Sequence, residues 1–96
     1  MFMSTITKKK TSSKVKEILS KPYKLVLHND DYNSFDWVIT CLIKICKHEQ
    51  EQATQCAHIV HFSGKCDVKY GDLDTISTMK DKLISAGLSA TMESNV

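Results

Sequence analysis

Residues 23–38 read YKLVLHNDDYNSFDWV, and this stretch decides the first half of the fold. Every second residue from Tyr23 to Leu27 is apolar or aromatic, a period of two that predicts a half-buried strand. Apolar residues then recur at helical spacing from Phe35 onward, which predicts a helix with Asn33 or Ser34 as its N-cap. The stretch therefore predicts a strand, a polar turn and a helix in direct succession.

The turn between these two elements contains the adjacent carboxylates Asp30 and Asp31 and no Lys or Arg. Neighbouring side chains at a turn generally point apart, and turn capping is the commoner role of such residues. A second polar candidate, His61, closes a later helical segment. Together these residues suggest a small anionic pocket of hydrogen-bond acceptors, suited to a cationic group such as an ammonium.

The rest of the chain completes the order β-α-α-β-α-β. The later elements are a helix after His48 that stops at Gly64, a strand from Cys66 to Tyr70, a helix that Asp72 opens and Gly87 ends, and a strand from Leu88 to Met92. This order predicts an α+β fold, in which three helices pack on one face of a compact three-stranded antiparallel sheet.

The 96 residues are enough for one domain. Residues 1–21 are rich in Lys, Ser and Thr, which predicts a flexible, disordered N-terminal extension before a core domain at residues 22–96. The net charge of +2 with interspersed signs gives no footprint for nucleic acid. No apolar run approaches the roughly 20 residues of a membrane span, and the chain start lacks a signal-peptide core, so we expect a cytoplasmic protein.

The cysteines and histidines give weak signals. Three of the four cysteines lie inside predicted helices, and we interpret all four as reduced thiols. Cys66 is the one candidate nucleophile, but its place at the start of a strand favours packing. We expect His28 and His48 to be exposed polar residues.

His58 and His61 have the spacing of a metal-binding pair on one helical face, although no third and fourth ligand follows at a recognisable spacing. A metal-dependent hydrolase built on Asp30, Asp31, His58 and His61 is an alternative hypothesis. A ribosome- or factor-binding module of similar topology is another. The interpretation as an anionic pocket for a cationic group requires neither a metal nor another cofactor.

Residues 23–38, followed by Ala53-Thr54-Gln55 and by residues 60–65, resemble the ClpS family of small adaptors for ATP-dependent Clp proteases. The resemblance covers residues 22–93 and is carried by the Asn-Asp-Asp-Tyr turn and by Val-His with Gly-Lys three and four places beyond that His. It implies a βααβαβ fold and a monomeric adaptor without catalytic residues. Such an adaptor recognises N-degron peptides and proteins and delivers them to the N-terminal domain of a Clp AAA+ unfoldase.

The resemblance also implies roles for individual residues. The free α-amino group would be held by Asn29, Asp31 and His61, while Asp30 supports the turn. A pocket for a first residue such as Leu, Phe, Tyr or Trp would be lined by Leu27, His28, Asn33, Phe35, Val38, Ala57, Val60 and Leu88. Asp74 and Lys80 are candidates for docking the unfoldase.

The chain departs from the usual family pattern at three pocket positions. Phe35 and Ala57 stand where Met is common, and Asn33 stands where Thr is common. A larger residue opposite a smaller one conserves volume but changes the shape of the pocket. We therefore expect the order of preference among bulky first residues to differ from that of family members with the usual pattern.

Overall fold

The computed structural model describes residues 20–95; residues 1–19 and Val96 lie outside that description, and with them almost all of the expected N-terminal extension. The elements are β1 Tyr23–His28, α1 Phe35–Cys46, α2 Gln50–Ser63, β2 Lys65–Gly71, α3 Leu73–Ser85 and β3 Ser89–Ser94. The predicted α+β order is thereby confirmed. No helix within residues 20–95 is long and apolar enough to cross a bilayer.

β1 is the central strand of the sheet, whose order is β2-β1-β3 with both pairings antiparallel. His28, the last residue of β1, lies opposite Lys65 of β2 and Ser89 of β3, so the end of β1 meets the starts of both partners. The register with β2 shifts midway along β1, which leaves Val68 without a partner in register. Such a β-bulge bends the strand locally and frees backbone groups from the ladder.

The hydrophobic core lies between the sheet and the helices. Leu25 and Leu27 of β1 belong to it, whereas Val26, which points to the opposite face, is buried outside this cluster. The helical members are Ile39, Cys41, Leu42, Cys46, Ala53, Cys56, Ala57, Val60, Ile76 and Leu83. Burying a leucine side chain contributes about 1.5–3 kcal/mol, so this packing fixes the helices against the strand that leads into the polar turn.

The helix ends follow their capping residues. Ser34 is the N-cap of α1, and its side chain accepts a hydrogen bond of 3.1 Å from the backbone N–H of Trp37. Asp72 caps α3 in the same way, with a bond of 2.7 Å from Thr75. Gly64 ends α2 in the left-handed region, at φ 92°, which glycine adopts without a Cβ penalty.

His48 lies between α1 and α2 and is only 4% exposed, so the expectation of an exposed residue is wrong. Its Nε2 lies 2.6 Å from the carbonyl oxygen of Val68, the residue that the bulge leaves without a partner in register. The imidazole N–H therefore pairs a buried carbonyl that would cost about 1–3 kcal/mol if unsatisfied. Burial lowers the pKa of His48; the bond to Val68 opposes this shift in part, and nearby Lys69 adds to it.

The lowered pKa of His48 gives a pH dependence of stability with a definite sign. The unfolded state takes up a proton near the ordinary histidine pKa of about 6.5, whereas the folded state takes it up only at lower pH. The free energy of unfolding is therefore expected to decrease as pH falls from about 6.5 toward the folded pKa, and this contribution is constant above that range. Urea titrations at several pH values measure the effect.

The variant His48→Gln separates His48 from the other titrating groups. A glutamine amide can donate to the Val68 carbonyl but does not titrate. We expect this variant to lose part of the slope of stability against pH that the wild type shows below pH 6.5. Equal slopes in both proteins would assign the pH dependence to other residues.

All four cysteines are free thiols, as predicted. Cys41, Cys46 and Cys56 are buried in helices, and Cys66 is half-buried in β2. Burial raises the pKa of Cys46 to about 11 and that of Cys66 to about 12. Because the thiolate is the nucleophile, these shifts favour a packing role for Cys66.

Candidate functional site

The turn after β1 is built around the carboxylate of Asp30. Its Oδ1 accepts hydrogen bonds of 2.9 Å from the backbone N–H groups of Tyr32 and Asn33, and its Oδ2 accepts one of 2.8 Å from Asn33 Nδ2. Partial burial by itself raises the pKa of Asp30, but the bonds from Asn33 and Tyr32 outweigh it and hold the pKa below its ordinary value. Asp30 is thus engaged with the turn through both carboxylate oxygens.

The same turn is tied to the segment that joins α3 to β3. Asn33 Nδ2 also donates to the carbonyl of Gly87 at 2.8 Å, and Trp37 Nε1 donates to the carbonyl of Ala86 at 3.0 Å. Gly87 has φ 92°, so the chain can reverse there without a Cβ penalty. These two bonds fix the start of α1 against the end of α3.

The last turn of α2 meets the end of β1 at the same place. The backbone N–H of Asn29 donates to the carbonyl of Gly64 at 2.8 Å. His61 lies in the last turn of α2, three residues before Gly64. This contact brings Asn29 and His61, which are far apart in sequence, to one opening.

That opening is a cavity of about 380 Å³. It is lined by Asn29, Asp30, Asp31, Asn33, Phe35, Val38, Ala57, Val60 and His61. The volume lies within the about 300–1,000 Å³ that is common for small-ligand sites. The turn, the start of α1 and the second half of α2 thus each contribute one wall.

The cavity is polar at its rim and apolar at its floor. Asn29, Asp31 and His61 are exposed, Val38 is half-buried, and Ala57 and Val60 are buried. The carboxylate of Asp31 and the side chain of Asn29 make no hydrogen bond within residues 20–95, so their oxygens remain available as acceptors. Among the described residues that line the cavity there is no Lys or Arg, which leaves the rim anionic.

Three residues that the resemblance assigned to the pocket are not among those that line the cavity. Leu27 and Leu88 are buried in the hydrophobic core. His28 is half-buried rather than exposed, and its Nε2 lies 2.8 Å from Thr91 Oγ1 across the sheet. The structure therefore brings Asn33, Phe35, Val38, Ala57 and Val60 to the cavity, and not these three.

The two docking candidates lie on α3. Asp74 borders a shallow groove between the end of α1 and α3, together with Lys47 and Lys82. Lys80, which is half-buried, lies 3.9 Å from the exposed carboxylate of Asp81, and such a surface contact contributes about 0–1 kcal/mol. Neither residue borders the cavity that contains Asp31.

The ligand set of the hydrolase hypothesis is not assembled. Within residues 20–95 no three side chains of His, Cys, Asp or Glu are grouped to hold a metal ion. Asp30 is occupied by the turn, and the ring of His58 packs against Phe35 at a centroid distance of 4.7 Å. The spacing of His58 and His61 on α2 is therefore not part of a metal-binding group within residues 20–95.

A cavity with hydrogen-bond acceptors at its rim and an apolar floor defines a binding site for a small group that is cationic at one end and apolar at the other. The model of the family of ATP-dependent Clp protease adaptor proteins, ClpS, matches residues 5–91. The chain belongs to the ClpS family. This is a family of adaptor proteins rather than enzymes, which agrees with the prediction from the sequence.

Individual relatives agree with this assignment. The chain is 44% identical over 57 residues to the ATP-dependent Clp protease adapter protein ClpS of Pectobacterium carotovorum, which covers 57% of this chain and 54% of the relative. It is 43% identical over 54 residues to the protein of the same name in Escherichia coli, at 54% and 51% coverage. The chain thus matches about half the length of these curated relatives.

A solved structure shares the fold. The structure of Agrobacterium tumefaciens ClpS2 bound to L-phenylalaninamide superposes with a TM-score of 0.68 at 24% sequence identity. The match covers 79% of this chain and 99% of that one. At this identity the likeness shows the fold.

Proposed function

We propose that this chain is an adaptor that binds the free α-amino group and the bulky apolar first residue of N-degron substrates. The observation that carries the proposal is the cavity itself, in which Asn29, Asp31 and His61 supply acceptors above an apolar floor. An α-ammonium has three donors and a positive charge, and an amide oxygen, a carboxylate and a neutral imidazole nitrogen can accept all three.

The same geometry would distinguish a chain end from an internal residue. An internal peptide group offers one N–H and no charge, so it would leave rim acceptors such as Asp31 without a partner. The side chain of a first residue would enter over Val38 toward Ala57 and Val60. Burial of a side chain such as Leu or Phe there is worth about 1.5–3 kcal/mol.

One relative supports this assignment of chemistry. The Agrobacterium protein that shares the fold was solved with L-phenylalaninamide, a compound with a free α-amino group and a phenyl side chain. The cavity described above offers a matching surface for each end of such a molecule, with the carboxylate of Asp31 at the rim for the amino group and the apolar Val60 at the floor for the phenyl group.

The direct test is fluorescence anisotropy with labelled peptides that begin with Leu or Phe. We expect binding, and at least about tenfold weaker binding of the N-acetylated twin, because loss of a hydrogen bond to a charged group costs roughly 1.5–3 kcal/mol. The acetylated peptide keeps the same side chain and sequence, so it isolates the α-amino group. Equal affinities for the two peptides would refute the proposal.

We further propose that the bound substrate is delivered to the N-terminal domain of a Clp AAA+ unfoldase. Asp74 and Lys80 on α3 remain the candidates for this contact. Both are separate from the residues that line the cavity, so one protein could hold a peptide and the unfoldase at once. In this proposal residues 1–21 serve delivery and residues 22–96 serve binding.

Deletion of residues 1–20 tests this division. We expect the affinity for a Leu-initiated peptide to stay within about twofold of the wild type, because every lining residue within the described range 20–95 lies beyond position 28 and independent sites contribute additively. The anisotropy titration above measures it, and a degradation assay with a Clp ATPase and protease measures delivery. A truncated protein that no longer binds the peptide would contradict the proposed boundary.

A further inference from the structure

His58 is an exposed residue of α2 whose ring has two phenyl rings as neighbours. Its ring centroid is 4.7 Å from that of Phe35, at an interplanar angle of 59°, and 6.0 Å from that of Phe62, stacked at 5°. Phe35 is 37% exposed and Phe62 is 78% exposed, so the row of three rings lies at the surface. Offset and tilted ring contacts at these distances are attractive beyond simple area burial.

The row stands directly at the mouth of the cavity. Phe35 lines the cavity from α1, and Ala57, which precedes His58, lines it from α2. Ala57 offers only a methyl group, so it gives the Phe35 ring little surface to pack on. The ring contact on the α2 side comes from His58 instead.

The position of the Phe35 ring would decide which first residues can enter. A β-branched side chain carries its branch next to the backbone, at the mouth of the cavity rather than at its floor. Ala57 removes bulk from the opposite wall, so exclusion of such a branch falls mainly to Phe35. A ring free to swing away would no longer exclude it.

We propose that His58 is a positioning residue that holds Phe35 across the mouth, so that first residues unbranched at Cβ, such as Leu and Phe, enter while Val and Ile are refused. This inference rests on the proposed function. It concerns which substrates that site accepts, not whether it binds them. Phe62 is the second ring neighbour of His58, and it also contacts the ring of His61 at a centroid distance of 5.1 Å.

The test compares Leu-initiated and Ile-initiated peptides by fluorescence anisotropy with the full chain. In His58→Ala the ratio of the two affinities is expected to fall by about two- to tenfold, the range that loss of an aromatic pair predicts. The fall should come from stronger binding of the Ile peptide, with the Leu peptide nearly unchanged. His58→Phe keeps a ring at this position and should restore the wild-type ratio.

Two further variants separate positioning from general disturbance of the helix. Ile59→Ala alters the neighbouring exposed side chain, which is not aromatic and does not line the cavity, and should leave the ratio unchanged. Phe35→Ala should lower the ratio at least as far as His58→Ala, and adding His58→Ala to it should lower the ratio no further, because one residue acts through the other.

The outcomes are distinct from those of the proposed function. A wild type that binds the Leu peptide, together with a His58→Ala variant whose ratio is unchanged, would overturn the inference and leave the proposed function standing. An equal loss of affinity for both peptides in His58→Ala would also overturn it. A wild type that binds no free-amine peptide would refute the proposed function itself.

Discussion

Replacing Asp31 with alanine is expected to weaken binding of a Leu-initiated peptide by about ten- to a hundredfold, since a hydrogen bond to a charged group is worth roughly 1.5–3 kcal/mol. Asp31 lies at the cavity rim, where its carboxylate makes no hydrogen bond within residues 20–95. Its removal therefore takes an acceptor from the ligand and not from the fold. Anisotropy titration gives the affinity, and urea denaturation should show stability within about 0.5 kcal/mol of the wild type.

A matched control is available at Asp36. This exposed carboxylate lies in the first turn of α1 and does not line the cavity. Asp36→Ala changes the net charge by the same amount as Asp31→Ala, so general attraction of a cationic peptide is lowered equally. Similar losses of affinity in the two variants would show that only the overall field of the protein matters and that Asp31 is not a direct acceptor.

The element order could be predicted because its signals are local. Alternation from Tyr23 to Leu27 and helical spacing after Phe35 follow from which side chains must face a common core. Capping residues indicate the helix ends: Ser34 was one of two candidate N-caps, Asp72 was predicted to open α3, and Gly64 was predicted to end α2. Such features depend on neighbours within a few residues, so the sequence alone indicates them.

The burial of His48 could not be predicted because its cause is remote in sequence. The bulge in β2 leaves Val68 without a partner in register, and the His48 ring fills that position from 20 residues away. A polar residue between two helices ordinarily indicates an exposed loop. Only the pairing register of β1 and β2 reveals the carbonyl that needs a donor.

The candidate site likewise combines features that could be predicted from the sequence with features that could not. Asn29, Asp31 and His61 were indicated by residue type together with the family resemblance, and the structure places them at one cavity. The backbone carbonyls that fix this arrangement, those of Gly64 and Gly87, were missed. Every residue has a carbonyl, so its use as an acceptor leaves no signal in the sequence.

The histidine pair shows how one spacing supports two interpretations. His58 and His61 have the separation of metal ligands on a helix, yet the ring of His58 packs between Phe35 and Phe62. Spacing on a helix fixes which residues share a face, but the neighbouring element decides what they contact. Here the neighbouring element is the start of α1, and only the folded structure shows that it lies against α2.

Replacing Asp30 with alanine is expected to lower both the stability and the peptide affinity, whereas Asp31→Ala should lower the peptide affinity alone. Asp30 accepts three hydrogen bonds of 2.8–2.9 Å from Tyr32 and Asn33. Each is worth about 0.5–1.5 kcal/mol net, and water replaces part of this in a half-exposed turn, so the free energy of unfolding should fall by about 1–3 kcal/mol. Urea denaturation measures that change.

Peptide affinity should fall in Asp30→Ala as well, because Asn33 then loses an anchor while its bond to Gly87 alone cannot fix the turn that carries Asp31. The loss should be larger for a free-amine peptide than for its acetylated twin, because the loosened turn carries Asp31, the proposed partner of the α-amino group. An Asp30→Ala protein with wild-type stability and a selective loss for the free amine would instead make Asp30 a direct acceptor. Comparing the stability of both variants together with their affinities for both peptides therefore assigns the two adjacent carboxylates separately, one to the fold of the turn and one to the ligand.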